Sequence, residues 1–141
     1  MEEKLTVSKE QAIAEFDAWR ENCDLDFDEN DLPDDQKALV DGCRRRFVKA
    51  MTGGRLVVDG EKLKYTISDK SPDGFKGREV EIKNPGARLK FAMDGFKDNQ
   101  QAEREIAGMS ALTGQDVGFF RKLCMTDFNF FEGVIALFML S

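Results

Sequence analysis

Ala12, Ile13, Phe16, Trp19 and Cys23 recur at spacings of three and four along "SKEQAIAEFDAWRENC", the pattern of one apolar helix face. Ser8 stands where an N-cap belongs, and Gln11 three residues on completes a capping box. An acidic, turn-rich connector follows, "DLDFDENDLPDD". A second helix is expected to begin near Pro33 or Asp34 and to run through "DDQKALVDGCRRRFVKAM". Its acids lie at the start and its bases near the end, as the helix dipole favours, and Gly53 and Gly54 stop it.

The period then changes from three-and-a-half to two. "RLVVDGEKLKYTIS" places two β-rich runs around Asp59 and Gly60, a hairpin signal. After the loop "DKSPDGFKG", the stretch "REVEIKN" alternates, with Val80 and Ile82 on one face. A small antiparallel sheet of three strands is the expectation. Beyond Pro85 the pattern is helical again. "PGARLKFAMDGF" predicts a short helix carrying Leu89, Phe91, Met93 and Phe96. "DNQQAEREIAGMSALTG" predicts a longer one, capped by Asp98 or Asn99 and closed by Gly114. "QDVGFFRKLC" and "TDFNFFEGVIALFMLS" complete the chain, the last helix with Thr126 or Asp127 as N-cap. The fold class is therefore α+β: an N-terminal helical pair, a small antiparallel sheet and a C-terminal helical bundle.

Composition narrows the function classes. Across 141 residues, hydrophobic side chains at 41% supply a core, and the net charge of −6 opposes non-specific binding to nucleic acid. That charge is uneven. Residues 1–53 hold fourteen acids against eight bases, while residues 54–141 hold thirteen of each. The absence of histidine removes the commonest general base and transition-metal ligand. Cys23, Cys43 and Cys124 are far apart and odd in number, which fits reduced thiols in a cytoplasm. "MEEKLTVSKEQ" has neither a basic nor an apolar leader region, so no secretory signal is expected there.

The tempting motifs weigh little. In "DLDFDENDLPDD", Asp24, Asp26 and Asp28 match the first, third and fifth positions of a calcium loop. Glu29 stands where that loop needs glycine, and Asp35 where it needs a bidentate glutamate, so a solvated connector is the better reading. Arg44, Arg45 and Arg46 fall near a helix C-terminus, where cations are favourable without any ligand. "TGGRLVVDG" lacks the spacing of a phosphate loop. Cys124 has no histidine to activate it and reads as a buried structural thiol. No enzyme, cofactor or metal site emerges.

The apolar run from Phe128 to Leu140 spans 13 residues, too short for a bilayer and lacking the cations of an interfacial helix. On a helical wheel Asn129, Glu132, Gly133, Ala136 and Leu140 make one narrow stripe, and every other position is apolar. Such a helix is buried over most of its circumference. Eight of the twelve phenylalanines lie between Phe91 and Phe138, so this half carries the densest core, and any surplus is a face for protein contact.

From residue 55 to the end, "GREVEIKNPGARLKFAMDGF", "AEREIAGMSALTGQDVGFFRKLCMTDF" and "FFEGVIALFML" occur in an order that resembles the phage tail assembly chaperones. The resemblance divides the chain into an acidic helical extension, 1–54, and a chaperone-like α+β domain, 55–141. It implies a non-enzymatic protein of the infected bacterial cytoplasm that binds the tape measure protein, keeps it soluble and helps tail tube protein polymerise around it. It also implies a homo-oligomer that is absent from the mature virion, with no nucleic-acid or membrane partner. Phe119, Phe120, Phe128, Phe131, Ile135 and Phe138 are the expected contact residues for client or self-association. Two other readings stand beside it: a structural tail or connector component, and an acidic inhibitor that mimics nucleic acid through Asp24, Asp26, Asp28 and Asp31.

Overall fold

A computed structural model describes residues 7–25 and 28–140. Residues 1–6, where the absence of a leader was read, and Asp26 of the acidic connector lie outside the described residues.

Helix α1 covers Lys9–Asn22 and starts as its sequence requires, with Ser8 Oγ accepting the Gln11 N–H at 3.2 Å. A 3-10 turn at Glu29–Asp31 leads to α2, Asp34–Thr52. Strands β1 (Leu56–Asp59), β2 (Lys62–Thr66) and β3 (Glu79–Ile82) form one antiparallel sheet in the order β1-β2-β3. Asp59 pairs with Lys62, so the hairpin turns on Gly60 and Glu61, one residue later than the Asp59-Gly60 pair predicted. Gly60 has φ +62°, and a two-residue connection puts glycine at its first central position when only that residue needs positive φ.

Helices α3 (Arg88–Met93), α4 (Gln101–Thr113), α5 (Val117–Arg121) and α6 (Met125–Leu140) follow. Two expected caps are elsewhere. Asp98 and Asn99 belong to a 3-10 turn before α4, closed by Gln100 Oε1 accepting the Lys97 N–H at 3.0 Å. Helix α6 begins at Met125, ahead of both Thr126 and Asp127, and Asp127 turns inward. Gly114 does close α4, at φ +75°. Asp116 caps α5 by accepting the Phe119 N–H at 3.0 Å.

The core runs continuously from α1 to α6. Phe16 meets Phe47 edge-on at 4.8 Å, Phe47 lies 5.4 Å from Phe130, and Phe130 stacks on Tyr65 at 4.2 Å. Trp19 contacts Phe138 at 5.9 Å and donates its indole N–H to the Glu61 carbonyl at 3.2 Å. The helical pair, the hairpin turn and the C-terminal helix are thereby joined by one aromatic chain. Each such ring withdrawn from water stabilises the fold by roughly 1.5–3 kcal/mol. On the sheet, Leu63, Tyr65, Val80 and Ile82 turn to this core, the alternation read from the strands.

Candidate functional site

Four of the six residues expected to touch a partner are interior. Phe119, Phe120, Phe131 and Ile135 are 4%, 0%, 0% and 3% exposed, which leaves them no surface to offer another chain. They pack on each other and on the sheet: Phe120 meets Phe131 at 5.3 Å, and Phe131 meets Tyr65 at 5.4 Å. Phe128 and Phe138 are half-buried at the edge of the core and are the two that reach the surface. The correction has a simple cause. With α2 on one side of α6 and α4 on another, the apolar circumference of α6 is largely covered within the chain.

The exposed apolar surface lies elsewhere. Phe91 on α3 is 78% exposed, and Phe96 and Met139 are also exposed. Leu89 and Met93 are four residues apart on the buried face of α3, so Phe91, midway between them, points away. Two adjoining recesses, of about 360 Å³ each, share Lys90 and Met139. One also takes in Met93 and Phe96, with Lys97, Asp98 and Arg104 on its rim. The other takes in Leu25, Leu89 and Phe138. Together they make a groove of mixed polar and apolar lining between α3 and the C-terminal end of α6, with Met93, Phe96, Phe138 and Met139 among its apolar side chains. Phe91 lies on the expected helix, whereas Phe96, expected on it too, falls beyond α3, which ends at Met93; the two-residue offset of Phe91 from Leu89 is legible in the sequence.

At the other end of α6 lies a polar cluster built on Asp127, which is 0% exposed. Its carboxylate accepts from Tyr65 Oη at 2.6 Å, Ser71 Oγ at 2.6 Å, Ser68 Oγ at 3.0 Å and the Ser68 N–H at 3.2 Å. Cys124 Sγ donates to it at 3.2 Å, and Arg55 Nη1 stands 3.8 Å away while bonding Tyr65 Oη at 2.9 Å. Burial alone pushes the carboxyl pKa up, but the bonds from Ser71, Tyr65, Cys124 and Ser68 outweigh it and hold the group below its ordinary value. A carboxylate so saturated with donors is a poor proton acceptor. The cluster ties α6 to β2 and to the loop at 68–71. Cys124, expected to be buried, is half-buried here.

Cys23 and Cys43 are buried, and that burial pushes their thiols up to about 12 and about 11. Glu132 on α6 is pushed up to about 7, first by its hydrogen bond with Glu105 of α4, then by burial and by the Glu105 charge, with Arg46 opposing. Among the described residues, no group of acids and cysteines is placed to hold a metal ion, and no helix is long and apolar enough to cross a membrane.

No protein-family model, curated protein or solved structure matches this chain.

Proposed function

We propose that this chain is a tail assembly chaperone that covers the hydrophobic seams of a phage tape measure protein until tail tube subunits enclose it. The observation that carries the reading is the exposed Phe91 on α3, together with the apolar side chains Met93, Phe96, Phe138 and Met139 in the groove between α3 and the end of α6. A long helical client exposes apolar stripes, and a groove that receives such a stripe is one of the recurring ways a helix is bound. Met93 and Met139 line the groove, and methionine repacks around different side chains, which suits a client with no strict sequence repeat. The rim charges of Lys90, Lys97, Asp98 and Arg104 set orientation and keep the groove hydrated when it is empty.

Several copies along one client act by multivalency, so each contact stays weak enough to be displaced by tube protein. The working contact set is Phe91, Phe96, Phe138 and Met139, in place of the interior phenylalanines. The chemistry is binding and release, without catalysis. The setting is the infected bacterial cytoplasm. Mass spectrometry of purified virions and of infected-cell lysates tests this. The chain is expected with tape measure protein in the lysate and not in the particle. Its recovery in stoichiometric amounts from finished virions supports a structural tail component instead.

A further inference from the structure

A second concave surface lies about 20 Å from the groove between α3 and α6, at the opposite end of α6. This cleft has a volume of about 590 Å³ and is walled by Lys49 at the end of α2, Arg55 before β1, Lys70 in the loop after β2, and Lys76. Thr66, Ser68 and Thr126 contribute hydroxyls, and Thr126 brings the first turn of α6, the positive end of its dipole. A side recess shares Lys49, Arg55 and Thr126 and adds Arg46.

The charges here run against the character of the whole chain, whose net charge is −6. Among the described residues, Lys49 and Lys70 have no carboxylate within salt-bridge distance. Lys76 is held at 2.9 Å by Asp73, but that pair is exposed and exchanges readily for another anion. Arg55 is fixed by its bond to Tyr65 Oη and by the nearby Asp127, so one cation stands pre-positioned on the cleft wall. The opposing acids are Asp69 on the rim, Asp73, the buried Asp127, and Glu132 beside Arg46.

We propose that this cleft binds an acidic polypeptide segment of a partner protein, with Lys49, Arg55, Lys70 and Lys76 pairing with its carboxylates. Three of the four cations are lysines, one at the end of α2 and two in the loop between β2 and β3, spaced around an open cleft. Separated point charges suit carboxylates strung along a chain, and the arginine on the cleft wall, whose planar fork would favour a bidentate phosphate contact, is already engaged by Tyr65. A nucleic-acid backbone calls for an extended basic face, which the net charge of −6 on this chain opposes.

The test uses the full chain and a fluorescein-labelled hexaglutamate peptide, followed by anisotropy, with inorganic tripolyphosphate and a six-nucleotide oligothymidylate as competitors. Hexaglutamate is expected to bind, to weaken as salt rises from about 50 to about 300 mM, and to lose at least about tenfold in affinity in the double variant Lys49→Glu, Lys70→Glu. Circular dichroism melting should leave that variant folded, since both side chains are exposed. The double variant Lys62→Glu, Lys83→Glu, at two exposed lysines beside Glu81 of β3, makes the same change in net charge outside the cleft lining and should bind as the parent does. No hexaglutamate binding, or equal losses in the two double variants, overturns the proposal. So does a competitor that binds more tightly than hexaglutamate through Lys49 and Lys70, because the occupant is then a phosphate compound.

Discussion

Asp127, in the first turn of α6, accepts a 2.6 Å hydrogen bond from the phenol of Tyr65 in β2, 62 residues away along the chain. Ser68 and Ser71 bind the same carboxylate from the loop beyond β2, and no described water-facing surface reaches it. This clasp sets where α6 begins against the sheet, and so positions both the cation-lined cleft beside it and the groove at the far end of the helix.

Removing the clasp should therefore cost more than an ordinary hydrogen bond. Asp127→Ala leaves several buried donors without their acceptor and is expected to destabilise the fold by about 3–5 kcal/mol in urea titrations. Tyr65→Phe removes one bond to a charged acceptor and should cost about 1.5–3 kcal/mol. In a double-mutant cycle the two losses should be strongly non-additive. The carboxyl pKa is depressed in the folded chain, so this stabilisation is present above the ordinary value of 3.8 and is lost as pH falls through the folded value. Asp127→Asn should accordingly flatten the acid limb of the stability curve.

Glu132 gives the opposite sign. Its folded pKa, about 7, lies above the ordinary 4.5, chiefly because Glu105 shares a proton with it. The folded state binds that proton more tightly than the unfolded one, so the contribution is full below about 4.5 and fades as pH rises through about 7. Glu132→Gln should be more resistant to urea than the parent at pH 8 and should lose most of the stability change between pH 5 and 7. An unchanged pH profile in this variant would show that the two carboxyls do not interact.

Gly108 in α4 marks a three-helix contact. A Cβ there would lie 2.8 Å from Met93 Sδ, 2.9 Å from Ile135 Cδ1 and 3.2 Å from Leu89 Cδ1, all buried side chains of α3 and α6. Alanine gains about 1 kcal/mol in helix propensity, but crowding three packed side chains costs about 1–3 kcal/mol. Gly108→Ala is expected to melt no higher than the parent, unlike an exposed helix glycine, where the same change stabilises.

Local signals in the sequence were strong wherever one segment decides its own structure. Ser8 with Gln11, the glycines after α2, the alternation of Val80 with Ile82, and Gly114 all sit where they were read. What failed depended on distant partners. Asp127 looked like a helix cap because aspartate is favoured there, and nothing nearby in sequence points to Ser68, Ser71 or Tyr65. The contact residues went astray for a related reason. Hydrophobicity alone does not distinguish a phenylalanine covered by another helix from one left in water, so the apolar pattern points to Phe119, Phe120, Phe131 and Ile135, while Phe91 and Phe96 are the rings left exposed. The cation cleft was illegible for the same cause, since Lys49, Lys70 and Lys76 meet only after the sheet and α2 pack together.

Client binding at the groove between α3 and α6 is tested at Phe91, Phe96 and Met139, none of which belongs to the buried core. Phe91→Ser should alter stability by no more than about 0.5 kcal/mol, while Phe96→Ser and Met139→Ser, at positions 36% and 39% exposed, should each cost about 1 kcal/mol. The direct measurement is the soluble fraction of tape measure protein co-expressed with this chain or with the triple variant Phe91→Ser, Phe96→Ser, Met139→Ser. The account predicts that the parent keeps most of the client soluble and co-purifying, while the folded variant leaves it in the pellet. Equal solubility with parent and variant, or an insoluble client with both, would contradict it.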